Sequence, residues 1–154
     1  MDLIPTAEMK PMIRKIGEAM WNDRNPEAFD EIATKDFVMH DTMGDHDLDE
    51  AKKMMQEALD GTPDLEFTIE GMFAAGDQVA VRYTLEGTNE APSYLTTEPT
   101  GNHWKSSGIS IYRFEGDKIA EQWDAFDYYG TMQQLGLIPS EAEPEAEGGA
   151  GAEA

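Results

Sequence analysis

Met9, Met12, Ile13, Ile16 and Met20 recur at steps of three and four, predicting a first helix with one apolar face ending near Trp21. Asn25 followed by Pro26 reads as an N-cap with proline at the first helical position, opening a short helix through Phe29 and Ile32. Asp47 with Glu50 three residues on has the form of a capping box. It opens a third helix with Ala51, Met54, Met55, Ala58 and Leu59 as its buried stripe and Gly61 as its stop. After Pro63 the period changes to two. Leu65, Phe67 and Ile69 alternate with polar residues up to a Gly76-Asp77 turn, and Val79, Val81, Tyr83 and Leu85 alternate in the next strand. A long loop, residues 87–103, leads to a third strand through Ile109, Ile111 and Arg113. Gly116-Asp117 turns the chain into a strand over 119–127, and a short helix over 131–135 ends at Gly136. Helices first and an antiparallel sheet afterwards predict an α+β fold, the sheet curled over the helices with a ligand-sized pocket between them.

The last fifteen residues break this pattern. SEAEPEAEGGAGAEA holds no large apolar side chain, so it is expected to be a disordered acidic tail over 140–154, behind one domain over 1–139. Of the 32 acidic residues five lie in that tail; against 11 basic residues the whole chain stands at −21 and the body at −16. Such a field repels phosphate backbones and argues against nucleic-acid or anionic-membrane partners. Few lysines among many acids point to adaptation to high salt, where screening relieves self-repulsion. Cysteine is absent, which removes disulfides, thiolate nucleophiles and sulfur-ligated zinc. No apolar run reaches the length of a membrane span and the N-terminal residues are charged throughout, so the expected location is the cytoplasm.

Candidate chemistry concentrates in the final strand. Strict alternation puts Ile119, Glu121, Trp123, Ala125 and Asp127 on one side, and Gln122 and Asp124 on the other. If Trp123 faces the pocket, Asp127 lies at its mouth, where lost hydration would suit a carboxyl to general acid or base work. The other reading is an aspartate capping the helix that follows. His40, after Phe37 and Val38, is either a proton relay or a hydrogen-bonded structural residue. His46 and His103 lie in polar stretches and read as solvated. Asp45, Asp47 and Asp49 have calcium-loop spacing, but Glu50 and Gln56 occupy the positions that need glycine and glutamate. No metal is expected.

Three stretches carry a family resemblance. They are MWNDRNPEAFDEIATKDFVMHD, then AAGDQVAVRYTLEGT followed by EPTG, and finally GISIYRFEGDKIAEQWDAFDYYGTMQQLG. In that order they resemble the SnoaL-like polyketide cyclase (ester cyclase) family of the NTF2-like superfamily, over Trp21 to Pro139. The resemblance implies an NTF2-like cone with an enclosed pocket, a homodimer, and cofactor-independent intramolecular aldol ring closure on a small hydrophobic carbonyl compound. An isomerase, a dehydratase or a noncatalytic binding protein uses the same scaffold. It further implies Asp127 as the acid/base aspartate four residues after the strand tryptophan, and His40 as the pocket histidine. Trp21, Phe37, Trp104 and Trp123 become the expected apolar walls. Where the family often has histidine after Gly-Thr this chain has Asn89, expected as a substrate-binding residue that forms hydrogen bonds but does not titrate.

Overall fold

The computed structural model describes residues 6–139; the expected tail at 140–154 lies outside them. The chain opens with α1 (Thr6–Gly17), a π turn (Glu18–Asn22) and a 3-10 turn (Pro26–Glu31). Then come β1 (Ala33–Asp41), β2 (Gly44–Asp47), α2 (Leu48–Gly61), β3 (Glu66–Ala75), β4 (Gln78–Thr88), β5 (His103–Glu115), β6 (Lys118–Phe126) and α3 (Tyr128–Leu135). The six strands form one sheet in the order β2-β1-β6-β5-β4-β3. Every pairing is antiparallel except β1 with β6. The α+β class is as read from the periodicity, with two strands, β1 and β2, added to the expected four.

Local chemistry explains most boundaries. Asp47 caps α2 in a complete capping box with Glu50. Gly136 ends α3 at φ 82°, a left-handed conformation that glycine adopts without strain. Asn25 makes no side-chain cap, contrary to the sequence reading, although Pro26 does open the turn. The core joins Met9, Ile13 and Met20 of the N-terminal segment to Phe29, Phe37, Leu59, Val79, Val81 and Ile119. Phe37 meets Phe29 edge to face at 4.9 Å and is 1% exposed, so it is a core residue and not the pocket wall it was expected to be.

One irregularity decides which side chains enter the pocket. Arg113 pairs with Glu121, but Phe114 pairs with Ile119, so Ala120 is an extra residue in β6. A bulge of one residue inverts the parity of everything beyond it. Ile119 and Ala120 are therefore both buried, Gln122 and Phe126 turn inward, and Glu121, Trp123 and Ala125 turn to the outer face.

Candidate active site

A cavity of about 1020 Å³, including its open mouth, lies between the inner sheet face and α2, α3, the π turn and the loop after β4. Its walls are Trp21, Phe67, Tyr83, Trp104, Tyr112 and Phe126 with Met54, Met55, Leu85 and Leu95. Trp21 stacks on Phe67 at 6.1 Å, and Trp104 meets Phe126 edge to face at 6.4 Å. Trp21 and Trp104 are thus both part of the cavity wall.

Asp124 is the one carboxylate lining the cavity among the described residues. Its Oδ1 accepts hydrogen bonds from Tyr83 Oη at 2.9 Å and from Ser110 Oγ. Gln122 Nε2 supports Ser110 from the neighbouring strand at 3.4 Å. Burial pushes the Asp124 pKa above the ordinary carboxylate value, against the two hydrogen bonds that lower it, and the charge of Asp41 adds to the rise. Tyr83 is pushed up as well, mainly by burial and then by Asp124. No geometric partner engages Asp124 Oδ2 among the described residues, so that oxygen is available to a ligand. Room for this arrangement comes from Gly108, where a Cβ would lie 2.5 Å from Tyr83 Oη.

Asp127, expected to be the acid/base group, sits at the end of β6 as the N-cap of α3, its Oδ1 accepting from Gly130 N at 2.8 Å. It does not line the cavity. Strict alternation failed here because the Ala120 bulge exchanges Asp124 for Asp127 and moves Trp123 outside. Trp123 is 37% exposed and stacks on His40 at 5.6 Å, so neither reaches the cavity.

His40 instead belongs to an outer-face cluster. Its Nδ1 meets Asp45 at 2.8 Å and its Nε2 meets Glu121 at 2.7 Å, while Arg113 Nε donates to Glu121 at 3.1 Å. The Asp45 hydrogen bond, then that to Glu121, raises the His40 pKa; Glu121 is lowered, chiefly by its bond to His40. With its folded pKa above the unfolded value of about 6.5, His40 contributes stability fully below that pH and loses it as pH rises through the folded value. His40→Gln is therefore expected to lower the melting temperature more at pH 6 than at pH 9. Equal losses at both pH values in thermal melts would remove the charged pair from the account.

The other expected residues divide. Asn89 lines the cavity, yet its amide is committed to backbone: Oδ1 accepts from Thr100 N at 2.8 Å, and Nδ2 donates to Ala91 O at 3.0 Å and Gly61 O at 3.4 Å. His103 is solvated as expected, paired with Glu86 at 2.9 Å. His46 is not, since its Nε2 meets Asp41 Oδ1 at 3.0 Å and the Asp41 side chain is wholly buried. No three metal-ligating side chains converge among the described residues.

A curved sheet with one carboxylate in an aromatic cavity defines a pocket protein of the ketosteroid isomerase-like (NTF2) fold. A protein of that fold from Catenulispora acidiphila, solved in complex with trimethylamine, superposes with a TM-score of 0.66 at 20% identity, covering 83% of this chain and 95% of that one. The candidate hydroxylase AclR of Streptomyces galilaeus gives 0.79 at 24% identity, over 88% of this chain and all of that one (100%). A candidate polyketide cyclase from Acidithiobacillus ferrooxidans gives 0.69 at 27% identity, over 89% and 99%. The model of the SnoaL-like polyketide cyclase family matches residues 12–135, and the chain belongs to that family. No curated protein matches it in sequence. No helix among the described residues is long and apolar enough to cross a membrane.

Proposed function

We propose that the protein carries out cofactor-independent acid/base chemistry on a small carbonyl compound, with Asp124 moving the proton. The observation behind this is a cavity carboxylate, the one among the described residues, with one oxygen held by Tyr83 and Ser110 and the other without a partner there. As a carboxylate, Asp124 Oδ2 takes a proton from the carbon beside the carbonyl. The C–H electron pair becomes an enolate, whose carbon attacks a second carbonyl of the same molecule and forms the ring bond. The Asp124 carboxylic acid then returns its proton to the new alkoxide, leaving the enzyme unchanged. Desolvation favours this cycle because it brings the carboxyl pKa nearer the working pH. Trp21, Trp104 and Phe126 supply apolar walls that exclude water from the enolate.

The test uses a substrate whose only demand is a base. Proton abstraction from 5-nitrobenzisoxazole breaks its N–O bond and releases a coloured phenolate. The rate should rise as pH passes through the displaced Asp124 pKa, which carboxyl NMR measures independently. A carboxyl that titrates at the ordinary ~3.9 would count against the assignment.

The same reading includes a homodimer formed through the outer sheet face. Phe73, Ala80, Ile111 and Trp123 are successive cross-strand partners on that face, and Phe73 is 77% exposed. Ile109, beside this row, is 52% exposed. An apolar row of this length facing water favours a covering partner. Phe73→Glu with Ile109→Glu should halve the mass seen by sedimentation; an unchanged mass would exclude this face as the interface.

A further inference from the structure

A second polar group stands apart from Asp124 at the α3 side of the cavity. Asp41 lies on the inner face of β1, with its side chain wholly buried. Its Oδ1 is doubly held, by Met43 N at 2.8 Å and His46 Nε2 at 3.0 Å. Its Oδ2 has one partner among the described residues, Tyr128 Oη at 3.4 Å. Tyr128 is the first residue of α3, placed by the Asp127 cap. Tyr94 reaches it from the loop after β4, the two rings 6.2 Å apart edge to face. Both tyrosines line the cavity; Asp41 lies behind them.

Proton counting gives this contact a direction. Tyr128 has one hydroxyl proton, and donating it to Asp41 Oδ2 leaves its oxygen lone pairs for the cavity. A hydroxyl that donates to a buried carboxylate is polarised toward that carboxylate. Lysine, arginine and histidine are absent from the cavity lining among the described residues, so no cation there offsets this. We infer that the Tyr128 hydroxyl, with the Tyr94 ring packed beside it, is an acceptor site for an O–H or N–H group carried by a carbonyl ligand at the α3 end of the cavity. The inference rests on the reading of Asp124 as the carbonyl end and adds to it a substrate class: a carbonyl compound bearing a hydroxyl or amine donor. Between the two ends lies Phe126, whose ring stacks on Tyr83 at 6.3 Å and meets Tyr128 at 5.2 Å. A flat ring laid along Phe126 spans from one polar group to the other.

Bicyclic ketones test this, with binding read from the fluorescence of Trp21 and Trp104. The probes are 6-hydroxy-1-tetralone, 6-amino-1-tetralone and 6-methyl-1-tetralone, alike in size and differing in the donor. One of the donor-bearing ketones should bind the wild-type protein roughly tenfold more tightly than the methyl compound, the scale of one matched hydrogen bond. Whichever of the two is tighter identifies the donor as O–H or N–H. Tyr128→Phe should shrink that preference toward unity. A methyl ketone that binds as tightly as both others, or no binding of any probe up to its solubility, overturns the acceptor site. So does a preference that survives in folded Tyr128→Phe. Loss of 5-nitrobenzisoxazole turnover in Asp124→Asn is independent of this ratio, so failure of the acceptor site and failure of Asp124 as base are told apart.

Discussion

Asp124→Asn is expected to reduce proton transfer from 5-nitrobenzisoxazole by roughly 10²–10⁴, the range of a lost general base, while making the protein more stable at neutral pH. The amide keeps the shape of the side chain and an oxygen for Tyr83 and Ser110 but accepts no proton. The stability effect follows from the sign of the pKa shift. A carboxyl whose pKa is raised on folding binds more protons folded than unfolded, so stability falls as pH rises from the unfolded value of about 3.9 through the folded one. Above that window the whole cost of the desolvated charge is present, and the amide removes it. The variant should melt higher than wild type at pH 7, with the advantage shrinking as pH falls through the raised folded value toward about 4. Asp127→Asn is the control, because asparagine caps helices as well as aspartate and this cap does not line the cavity. Its rate and melting temperature should stay near wild type. A rate loss in Asp127→Asn comparable to that in Asp124→Asn would move the base to the mouth of the cavity.

The contrast between these two aspartates marks where the sequence could be read. Val79, Val81, Tyr83 and Leu85 alternate without interruption and line the inner face as expected, and α2 has the bounds its capping box and Gly61 announce. The final strand misleads because the Ala120 bulge adds one residue with no glycine to mark it. In β5 the apolar residues Ile109 and Ile111 look like the buried face, yet Ser106 and Ser110 face inward. Periodicity finds the apolar side of a strand, and here a polar site lies inside while an uncovered apolar row lies outside. The wall positions of Trp21 and Trp104 were legible; the Tyr83–Ser110–Asp124 hydrogen bonds were not, since they join three strands. One signal was available: a lone aspartate between Trp123 and Phe126, in a strand flanked by apolar residues, is costly anywhere except a site. β1 escaped notice because Lys35 and Asp36 interrupt its apolar positions, and with it went the inward orientation of Asp41 and the outward one of His40.

Asn89→Ala should destabilise the fold by about 2–3 kcal/mol and release the loop that carries Tyr94. Asn89 is 2% exposed, and besides its side-chain bonds its backbone exchanges hydrogen bonds with Asn102 and Gly101 at 3.0 and 2.8 Å. Alanine keeps those backbone bonds but leaves the Thr100 N–H and the Ala91 and Gly61 carbonyls without their side-chain partner. Buried groups deprived of partners lose more than an average hydrogen bond contributes. The loop is also packed tightly at its base, where a Cβ on Gly61 would meet Ser93 Cβ at 2.6 Å, so other contacts hold part of it in place. Damage should therefore centre on the segment from Ala91 to Thr100, which brings Ser93, Tyr94 and Leu95 to the cavity. Hydrogen exchange is expected to quicken there while β4 and β5 stay protected. Binding of the tetralone probes should weaken through the donor-bearing compounds first, because they alone use Tyr128, against whose ring Tyr94 packs. A variant that melts like wild type, with unchanged exchange in this segment, would make Asn89 free to serve a ligand, as the sequence first suggested.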